Sequence, residues 1–461
     1  MEYISLEEIL EAVQGELYHK GSNLNYNDIC IDTRKLAAGN IYIAIKGEVY
    51  NGNDFVEEAV QKGALLCIVD EISFDINRVK NSTIIKVEDT KKALMSLAKY
   101  YRQKLHIKVI GVTGSTGKTT TKDLIAAALS SRYKVFKTKG NFNNEIGLPL
   151  MIFSLDSTYD IAVLEMGMSN LNEIHRLADV ARPDIAVITN IGISHIENLG
   201  SRENILKAKL EITDFFNNNN ILIVNGENDL LSNLESKKFN LIKVGFSEDF
   251  NYYSEKVSLF EESIEYNVVE ENILLKPRIN INIPGKHNVL NSLLAVACGR
   301  ALGLDLSEIN EGFSKLEATS MRLDVIRCAQ YTIINDCYNA SPDSMKAALD
   351  VQANMKGKRR IAVLGTMKEL GNESYNAHKE VAQYAKLKGI DILISIGDSK
   401  EAYREGFQND DKFVHFDKQE DAGVYIKSLL QQGDLILFKA SRAMRFENLV
   451  NLIKWSKCQW R

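Results

Sequence analysis

The alternation of apolar and polar residues divides the chain into strands and helices from its start. In "NIYIAIKG" (residues 40–47) isoleucine recurs at every second position, a period that predicts a β-strand. In "TKKALMSLAKYYRQKL" (residues 90–105) apolar residues recur every three or four positions and fall on one face of a helix. With the helix-then-strand pattern of "NDFVEEAVQKGALLCIVD", these elements predict a small α/β domain over residues 1–103.

The rest of the chain carries two longer series of apolar runs. After "HIKVIGVTG", β-branched runs recur in "DIAVLEMG", "DIAVITNIG", "ILIVNG" and "LIKVGF", with helical patterns between the early ones. This alternation predicts βαβ units and a parallel sheet, followed by a β-meander over about residues 251–283. "YTIINDC", "RRIAVLG", "DILISIG", "KFVHFD" and "DLILFKAS" repeat the alternation and predict a doubly wound, Rossmann-like domain. We expect a central domain at 104–316 and a C-terminal domain at 317–461.

A phosphate-binding loop is predicted at the start of the central domain. "GVTGSTGKTTTKDLIAAAL" begins at Gly111, follows a strand and opens a helix, which is the setting that such a loop needs. Lys118 would reach the β- and γ-phosphates of ATP, and the Thr119 hydroxyl would bind Mg²⁺. The first glycine of the usual pattern is replaced by Val112. A glycine-rich turn could also open a helix without binding a ligand, but G-K-T in this setting favours a nucleotide.

Further polar residues follow the predicted strands of the two larger domains. Glu165 ends one strand, and a carboxylate at that edge of a parallel sheet can hold a metal ion. His195 and Lys209 follow the next strand, Asn291 opens a long helix, and Asp336 ends the first strand of the third domain. Taken singly, each has a plain structural alternative, such as a solvated lysine, a hydrogen-bonded histidine or a helix cap.

Composition narrows the classes of function. Lys and Arg number 56 against 61 Asp and Glu, for a net charge of -5, and no basic segment with interleaved aromatics suits nucleic acid. No apolar run is long enough to span a membrane, and the acidic N-terminus does not resemble a secretion signal. The six cysteines form no C-x-x-C pair and are expected to be free thiols. These features predict a cytoplasmic protein.

The order of motifs resembles the Mur ligases over all three predicted domains. The motifs are "VTGSTGKTTTK", "GNFNNEIGLPL", "LEMGMS", "TNIGISHIENLGS", "AKLEI", "PGKHNVLN" and "NDCYNASPDSM". The second and last, with "VLGTMKELG", are similar to the members that add D-alanyl-D-alanine to UDP-N-acetylmuramoyl-tripeptide. The D-N-P-R signature of the diaminopimelate-adding sibling is absent from the sequence. The resemblance implies an ADP-forming ligase of peptidoglycan synthesis that forms an acyl phosphate.

The resemblance also implies roles for residues at matching positions. The implied catalytic groups are Lys118, Glu165, His195 and Lys209. Thr119 and Glu165 would hold one Mg²⁺, His195 would help to hold a second, and Lys209 matches a lysine that siblings carry as a carbamate. The implied ATP-binding set is Gly114, Ser115, Thr116, Gly117, Lys118, Thr119, Thr120, Asn291, Arg322 and Asp336. The implied substrate-binding set is Thr33, Arg34, Gly47, Asn143, Asn144, Tyr338 and Asn339. The expected partners are small-molecule substrates, and the expected state is a monomer.

Four positions depart from the family pattern, and other functions stay open. The departures are Asn335, Thr366, Ala440 and Ala443, and they bear on contacts to the dipeptide. One alternative is another amide ligase of the superfamily, either a different Mur enzyme or a folylpolyglutamate-type ligase. The other is a P-loop protein that binds ATP without ligation.

Overall fold

A computed structural model of the chain describes residues 1–317 and 319–455, which fold around three β-sheets. Each sheet belongs to one of the three predicted α/β regions, so the predicted fold class is confirmed. The domain limits given above remain predictions. Within the described ranges, no helix is both long enough and apolar enough to cross a membrane.

The first region contains a small mixed sheet. Its elements are α1 (Leu6–Val13), β1 (Glu16–His19), β2 (Asp28–Cys30), β3 (Asn40–Ile43), α2 (Val56–Gln61), β4 (Leu66–Val69), α3 (Ile76–Val79), β5 (Thr83–Lys86) and α4 (Thr90–Lys104). The strand order is β1-β5-β4-β3-β2, with only β1 antiparallel. The predicted strand at 40–47 ends early, at Ile43, because the chain turns there and Ile45 N–H donates to the Ile43 carbonyl.

The central region contains the largest sheet. Its strands are β6 (Lys108–Thr113), β7 (Val135–Lys137), β8 (Ile161–Glu165), β9 (Ile185–Ile188), β10 (Ile221–Asn225), β11 (Asn240–Gly245), β12 (Tyr252–Leu259), β13 (Ile264–Glu270), β14 (Ile273–Leu274) and β15 (Ile279–Ile281). Its helices are α5 (Lys118–Leu129), α6 (Gly147–Phe153), α7 (Glu173–Ala181), α8 (Ile196–Leu199), α9 (Arg202–Leu210), α10 (Asp229–Ser232), α11 (His287–Ala301) and α12 (Leu306–Ser314).

The order of the central sheet is β14-β13-β12-β11-β10-β9-β6-β8-β7, and β15 also pairs with β13. Strands β6 to β12 run parallel, whereas β13 to β15 are antiparallel and form the predicted meander. Helices α5, α11 and α12 cover one face. The other face is covered by α6, α7 and α9, and α4 of the first region packs on α6 and α7. The first region therefore shares a continuous apolar core with the central sheet.

The last region is doubly wound. Its elements are β16 (Asp324–Arg327), β17 (Tyr331–Asn335), α13 (Pro342–Asn354), β18 (Arg359–Gly365), α14 (Ser374–Leu387), β19 (Ile392–Ile396), α15 (Lys400–Phe407), β20 (Phe413–Phe416), α16 (Gln419–Leu429), β21 (Asp434–Lys439) and α17 (Glu447–Trp455). The order is β16-β17-β21-β18-β19-β20, and all pairs except β16-β17 are parallel. The carboxyl ends of β17, β18 and β21 therefore meet at one edge, where such sheets bind ligands.

The cysteines agree only in part with the prediction of free thiols. Cys30, Cys67, Cys298 and Cys337 are free. Cys328 is disulfide-bonded, so the prediction is wrong for this residue. Sequence spacing could not show this, because folding rather than spacing decides which thiols meet. Cys458 lies outside the described residues.

Candidate functional site

The predicted phosphate loop lies between β6 and α5. Gly114 adopts φ +150°, and a Cβ there would lie 1.8 Å from the hydroxyl oxygen of Thr189, so the position requires glycine. Gly117 adopts φ +77° and caps α5. The first turn of α5 therefore presents unbonded N–H groups at the positive end of the helix dipole, an arrangement suited to phosphate.

Two backbone N–H groups of the loop are bonded within the protein. Ser115 N–H donates to the Asn190 carbonyl at 3.0 Å, and Thr116 N–H donates to Asn190 Oδ1 at 2.8 Å. Both N–H groups are therefore already bonded within the protein, and the assignment of Ser115 and Thr116 to the ATP-binding set stays a prediction. The donors left for a phosphate include the N–H groups of residues 117–120 and the side chain of Lys118.

Lys118 lies over the loop. Its Nζ donates to the Gly114 carbonyl at 2.8 Å. Burial lowers the pKa of the ammonium group from its usual value, and the nearby Glu165 carboxylate opposes that effect. A cation held at this point, partly stripped of water, would interact strongly with a phosphate oxygen.

Thr119 and Glu165 meet as the sequence predicts. Glu165 is 4% exposed at the end of β8, which pairs with β6, and Thr119 is in the first turn of α5. The Thr119 hydroxyl donates to Glu165 Oε2 at 2.9 Å, and Asn143 Nδ2 donates to Oε1 at 2.9 Å. The Glu165 N–H in turn donates to the Thr138 hydroxyl at 2.9 Å. These contacts fix a buried carboxylate beside the phosphate loop.

The donor set at Glu165 fits Mg²⁺. A hydroxyl and a carboxylate are hard oxygen ligands, and Mg²⁺ in phosphate sites takes one or two protein oxygens and completes its shell from phosphate and water. Among the described residues, no three His, Cys, Asp or Glu side chains converge on one point as a metal cage. The protein therefore offers a partial ligand set of the kind that a nucleotide-bound ion uses.

His195 joins the central and C-terminal regions. It precedes α8 with φ +66°, and its Nδ1 lies 2.6 Å from Glu369 Oε2, on the loop after β18. The contact with His195 lowers the pKa of the Glu369 carboxyl from its usual value. Gly371 packs nearby, since a Cβ there would lie 3.3 Å from the side chain of Glu197. The predicted metal-site histidine therefore sits at the interface of the two regions.

Lys209 is buried without a carboxylate partner. Its side chain is 2% exposed near the end of α9, and no hydrogen bond or ion pair of its Nζ is found within the described residues. Burial, with a smaller contribution from the charge of Lys118, lowers its pKa well below the usual lysine value. The amine is therefore held towards its neutral, nucleophilic form.

A cavity of about 520 Å³ separates the phosphate loop from the C-terminal region. Asn291 and His287 of α11 line it on one side, and Asp336 lines it on the other. Asn291 Nδ2 donates to Asn288 Oδ1 at 2.9 Å, which leaves its carbonyl oxygen directed towards Gly117. Burial lowers the pKa of His287 to about 4, so this cavity-lining imidazole is neutral near pH 7.

Arg322 bridges the two walls of this cavity. Its Nη2 donates to the Thr119 hydroxyl at 3.0 Å, and its guanidinium carbon lies 4.2 Å from the ring centre of Tyr338. Its Nε is buried and has no hydrogen-bond partner. The predicted nucleotide contact of Arg322 is thus placed beside the predicted metal ligand.

Asp336 is held by a buried lysine. Its Oδ2 accepts from Lys439 Nζ at 2.5 Å, and its Oδ1 accepts from Leu323 N–H at 3.2 Å. Lys439 also donates to the Asn339 carbonyl at 3.1 Å. Asp336 lines the cavity, and its charge is already paired with that of Lys439.

The residues of the first region in the predicted substrate-binding set form local contacts. Arg34 pairs with Asp32 at 2.8 Å, the Thr33 carbonyl accepts from Lys62, and Gly47 N–H donates to the Tyr50 carbonyl. In the central region, Asn144 Oδ1 accepts from the N–H groups of residues 146 and 147 and so caps α6. Only Asn143 of the two adjacent asparagines contacts the catalytic set.

Three of the departures from the family pattern are structurally defined. Thr366 is 5% exposed, and its hydroxyl accepts from Asp398 N–H at 3.2 Å. Ala440 is buried against Gly365, where a Cβ would lie 2.6 Å from the alanine Cβ. Asn335 has a buried Oδ1 without a partner. Thr366 and Ala440 thus serve local packing at the edge of the C-terminal sheet.

Comparison with known sequences matches every region of the chain to one family. Residues 25–102 match the Mur ligase family, catalytic domain, residues 112–299 match the Mur ligase middle domain, and residues 321–442 match the Mur ligase, glutamate ligase domain. A protein of Bacillus subtilis (strain 168) named UDP-N-acetylmuramoyl-tripeptide--D-alanyl-D-alanine ligase is 41% identical, with 97% of each chain covered. The chain belongs to the Mur ligase family. A protein of the same name from Escherichia coli (strain K12) is 32% identical, with 98% of each chain covered.

Solved structures give the same result for this Mur ligase. MurF from Acinetobacter baumannii superposes with a TM-score of 0.91 at 28% identity, covering 99% of this chain and 100% of the other. MurF ligase from Thermotoga maritima in complex with ADP gives 0.83 at 28% identity, covering 94% and 98%. A folylpolyglutamate synthase of Mycobacterium tuberculosis gives 0.64 at 16% identity over 78% and 93%, a likeness of fold alone.

Several residues of the Mur ligase site escaped the sequence analysis. Asn190 fixes the phosphate loop, Thr138 supports Glu165, Glu369 meets His195, and Lys439 pairs with Asp336. All four act through contacts between distant parts of the chain. All four lie at or shortly after the carboxyl ends of strands, a position that many other residues share, so sequence alone could not single them out.

Proposed function

We propose that this Mur ligase uses ATP to join D-alanyl-D-alanine to UDP-N-acetylmuramoyl-tripeptide in peptidoglycan synthesis. One observation carries the proposal: the phosphate loop opens onto a cavity whose opposite wall belongs to a doubly wound C-terminal domain. ATP and a second ligand can thus be held face to face, as a ligase requires. The relatives of this name at 41% and 32% identity support the choice of substrates.

The chemistry begins with activation of a carboxylate. A carboxylate oxygen of the tripeptide attacks the γ-phosphorus of ATP, and the bond to the leaving ADP oxygen breaks. The amine of D-alanyl-D-alanine then attacks the carbonyl carbon of the acyl phosphate, loses a proton, and expels inorganic phosphate. Holding the two reactants in line can lower the barrier by about 7–11 kcal/mol.

The residues of the chain have separate tasks in these steps. Lys118 and the amides of residues 117–120 hold the phosphates and offset charge as two anions approach. Thr119 and Glu165 would hold Mg²⁺, which supplies charge neutralisation at the phosphates when bound. Arg322, held on Tyr338, adds a further positive charge at the same edge. Exclusion of water from the cavity during the reaction would protect the acyl phosphate from hydrolysis.

A second Mg²⁺ and a carbamate belong to the same proposal. His195 would help to hold the second ion. Lys209 would react with CO₂: its neutral nitrogen forms a bond to carbon, one proton leaves, and the product is an anionic carbamate. The burial and lowered pKa of Lys209 support this, because a neutral amine is the nucleophile that the addition requires.

The three domains would divide the substrates. We assign the uridine nucleotide to residues 1–103, with Thr33, Arg34 and Gly47 in its pocket, and Asn143 and Asn144 to the muramoyl part. Residues 104–316 would bind ATP, and residues 317–461 the dipeptide, with Tyr338 and Asn339 near it. The enzyme would work as a monomer in the cytoplasm, where ATP and a uridine nucleotide substrate are available.

Phosphate release provides the direct test. The enzyme with ATP, Mg²⁺ and UDP-N-acetylmuramoyl-tripeptide should release phosphate quickly only when D-alanyl-D-alanine is added, and mass spectrometry should show the pentapeptide product. Running the lysine and diaminopimelate tripeptides side by side would identify the third residue. Release that ignores the dipeptide, or no release, would contradict the proposal and favour a sibling ligase or a non-ligating ATP-binding protein.

A further inference from the structure

The segment after β9 makes a dense set of contacts with the phosphate loop. Asn190 accepts from the N–H groups of Ser115 and Thr116, and its Nδ2 donates to the Thr116 hydroxyl at 2.7 Å. Thr189 donates its hydroxyl to the Thr116 carbonyl at 2.5 Å, and Gly192 N–H donates to the Ser115 hydroxyl at 2.9 Å. Five hydrogen bonds thus join residues 189–192 to only two residues of the loop.

These bonds set the direction of the loop amides. With the N–H groups of Ser115 and Thr116 bonded to Asn190, those of residues 117–120 in the first turn of α5 are left to meet a phosphate. Gly114 also lies close to Thr189, with no room for a side chain between them, and this contact holds the start of the loop against the same segment. A loop held before the ligand arrives loses less conformational entropy when the ligand binds.

We infer that Asn190 is a positioning residue for ATP: its carboxamide holds the phosphate loop in the conformation that presents residues 117–120 to the phosphates. Asn190 also lines the cavity, but the role assigned to it is carried by its hydrogen bonds to Thr116. The inference rests on the proposed ligase function for its kinetic readout, but its binding readout needs only a nucleotide. Because Thr189 shares the task, the same effect is expected, more weakly, from loss of its hydroxyl.

The matched control is Asn220. It lies at the opposite, amino-terminal edge of the central sheet, where its Oδ1 accepts from Asn217 N–H at 2.9 Å and its Nδ2 donates to the Pro183 carbonyl at 3.2 Å. Asn220→Ala therefore removes a carboxamide that both accepts and donates hydrogen bonds in the same domain, and it does not alter the phosphate loop. Any general cost of losing such a side chain appears in both variants.

The experiment compares wild type, Asn190→Ala, Thr189→Val and Asn220→Ala. Titration calorimetry measures the Kd for ADP with Mg²⁺, ligation kinetics give KM for ATP, KM for the UDP substrate and kcat, and melting temperature reports stability. For Asn190→Ala we expect Kd for ADP and KM for ATP to rise about tenfold, from the loss of the two side-chain hydrogen bonds to Thr116 that order the loop. The KM for the UDP substrate should stay unchanged, and the melting temperature should match that of Asn220→Ala.

The outcomes separate the two proposals. If Asn190→Ala leaves Kd for ADP and KM for ATP at the wild-type values, or if Asn220→Ala raises them equally, the positioning role is wrong. If Asn190→Ala does not fold, the isosteric Thr189→Val decides, with a rise of a few-fold in both constants expected and no rise contradicting the inference. If wild type binds ADP but ligates nothing, the proposed function fails while the binding comparison still decides the role of Asn190.

Discussion

Two buried carboxylates at the ends of parallel strands, Glu165 and Asp336, are held in opposite ways. Glu165 is bonded by neutral groups, the hydroxyl of Thr119 and the amide of Asn143. Asp336 is bonded by the ammonium group of Lys439, which is itself 2% exposed. Both lie at the edge of their sheets that faces the site, and both are buried, with 4% and 7% of their surface exposed.

The difference indicates the role of each acid. Within the described residues Glu165 forms no ion pair, and Lys118 lies near it without a hydrogen bond to it, so its oxygens can attract a metal ion. Asp336 already has its counter-ion, so its remaining capacity is to accept hydrogen bonds, for example from a ribose hydroxyl. Position at a strand end therefore locates both residues, but the partner of each carboxylate decides what it can bind.

The largest effect is expected where the internal counter-ion is removed. Lys439→Met leaves Asp336 as a buried charge with one N–H donor, and breaking such a pair costs about 3–5 kcal/mol of unfolding free energy. Urea unfolding measures it. The exposed pair of Lys368 and Asp398, 3.1 Å apart in the same domain, is the control, and Lys368→Met should cost at most about 1 kcal/mol.

A second variant tests the reason for that loss. Adding Asp336→Asn to Lys439→Met removes the uncompensated charge, so much of the lost stability should return. An unchanged deficit in the double variant would show that Lys439 stabilises the domain through packing instead of charge.

Glu165→Gln should lower activity and leave stability unchanged, the opposite of Lys439→Met. The substitution removes a negative charge that the reaction needs, so we expect kcat to fall by about 10²–10³, or roughly 3–4 kcal/mol of barrier. Steady-state ligation at saturating Mg²⁺ and the melting temperature provide the two readouts. Glu173→Gln is the control, because that carboxylate is also bonded by neutral donors, Ser169 N–H and Asn170 Nδ2, but outside the site. Full activity of Glu165→Gln would refute the metal role.

Lys209 offers a buried amine that should become an anionic carbamate. Lys209→Ala should lose most activity, by about 10²-fold if it removes one transition-state contact, and a small carboxylate such as acetate should restore part of it. The exposed Lys207 on the same helix gives the control variant, Lys207→Ala. Incubation with ¹³CO₂ should give a carbamate NMR signal in wild type and Lys207→Ala but not in Lys209→Ala. Full activity of Lys209→Ala without additive would exclude the carbamate.

What the sequence could predict depended on distance along the chain. The phosphate loop, its flanking strand and helix, and the strand-end positions of Glu165 and Asp336 follow from contiguous patterns, and the structure contains them. The hydrogen-bond partners of these residues cannot be predicted from such patterns, because Asp336 and Lys439 are 103 residues apart and Asn190 lies 74 residues from Thr116. Only the sheet order brings such pairs together, and local periodicity does not encode that order.

The smallest change in stability is expected in residues 319–323, which we call the tether because they lie between Glu165 and Asp336. The segment that joins the central and C-terminal sheets contacts α5 one turn apart, through Arg322 on Thr119 and Thr319 on Asp123. Asp123 also accepts from Lys137 Nζ at 2.8 Å, so its charge stays paired without the threonine. Thr319→Val should therefore cost about 1 kcal/mol or less of unfolding free energy.

If Thr319→Val changes KM for ATP more than it changes the free energy of unfolding, the tether has a role in ATP binding. If the hydroxyl of Thr319 only adds stability, Thr319→Val should resemble Ser130→Ala, which removes a hydroxyl bonded to the Ala127 carbonyl at the far end of α5. If the tether holds Arg322 beside Thr119, KM for ATP should rise in Thr319→Val and not in Ser130→Ala. That rise would mean that one short segment, residues 319–323, positions groups beside both carboxylates. Equal behaviour of the two variants would mean that Tyr338 and Thr119 hold Arg322 without help from Thr319.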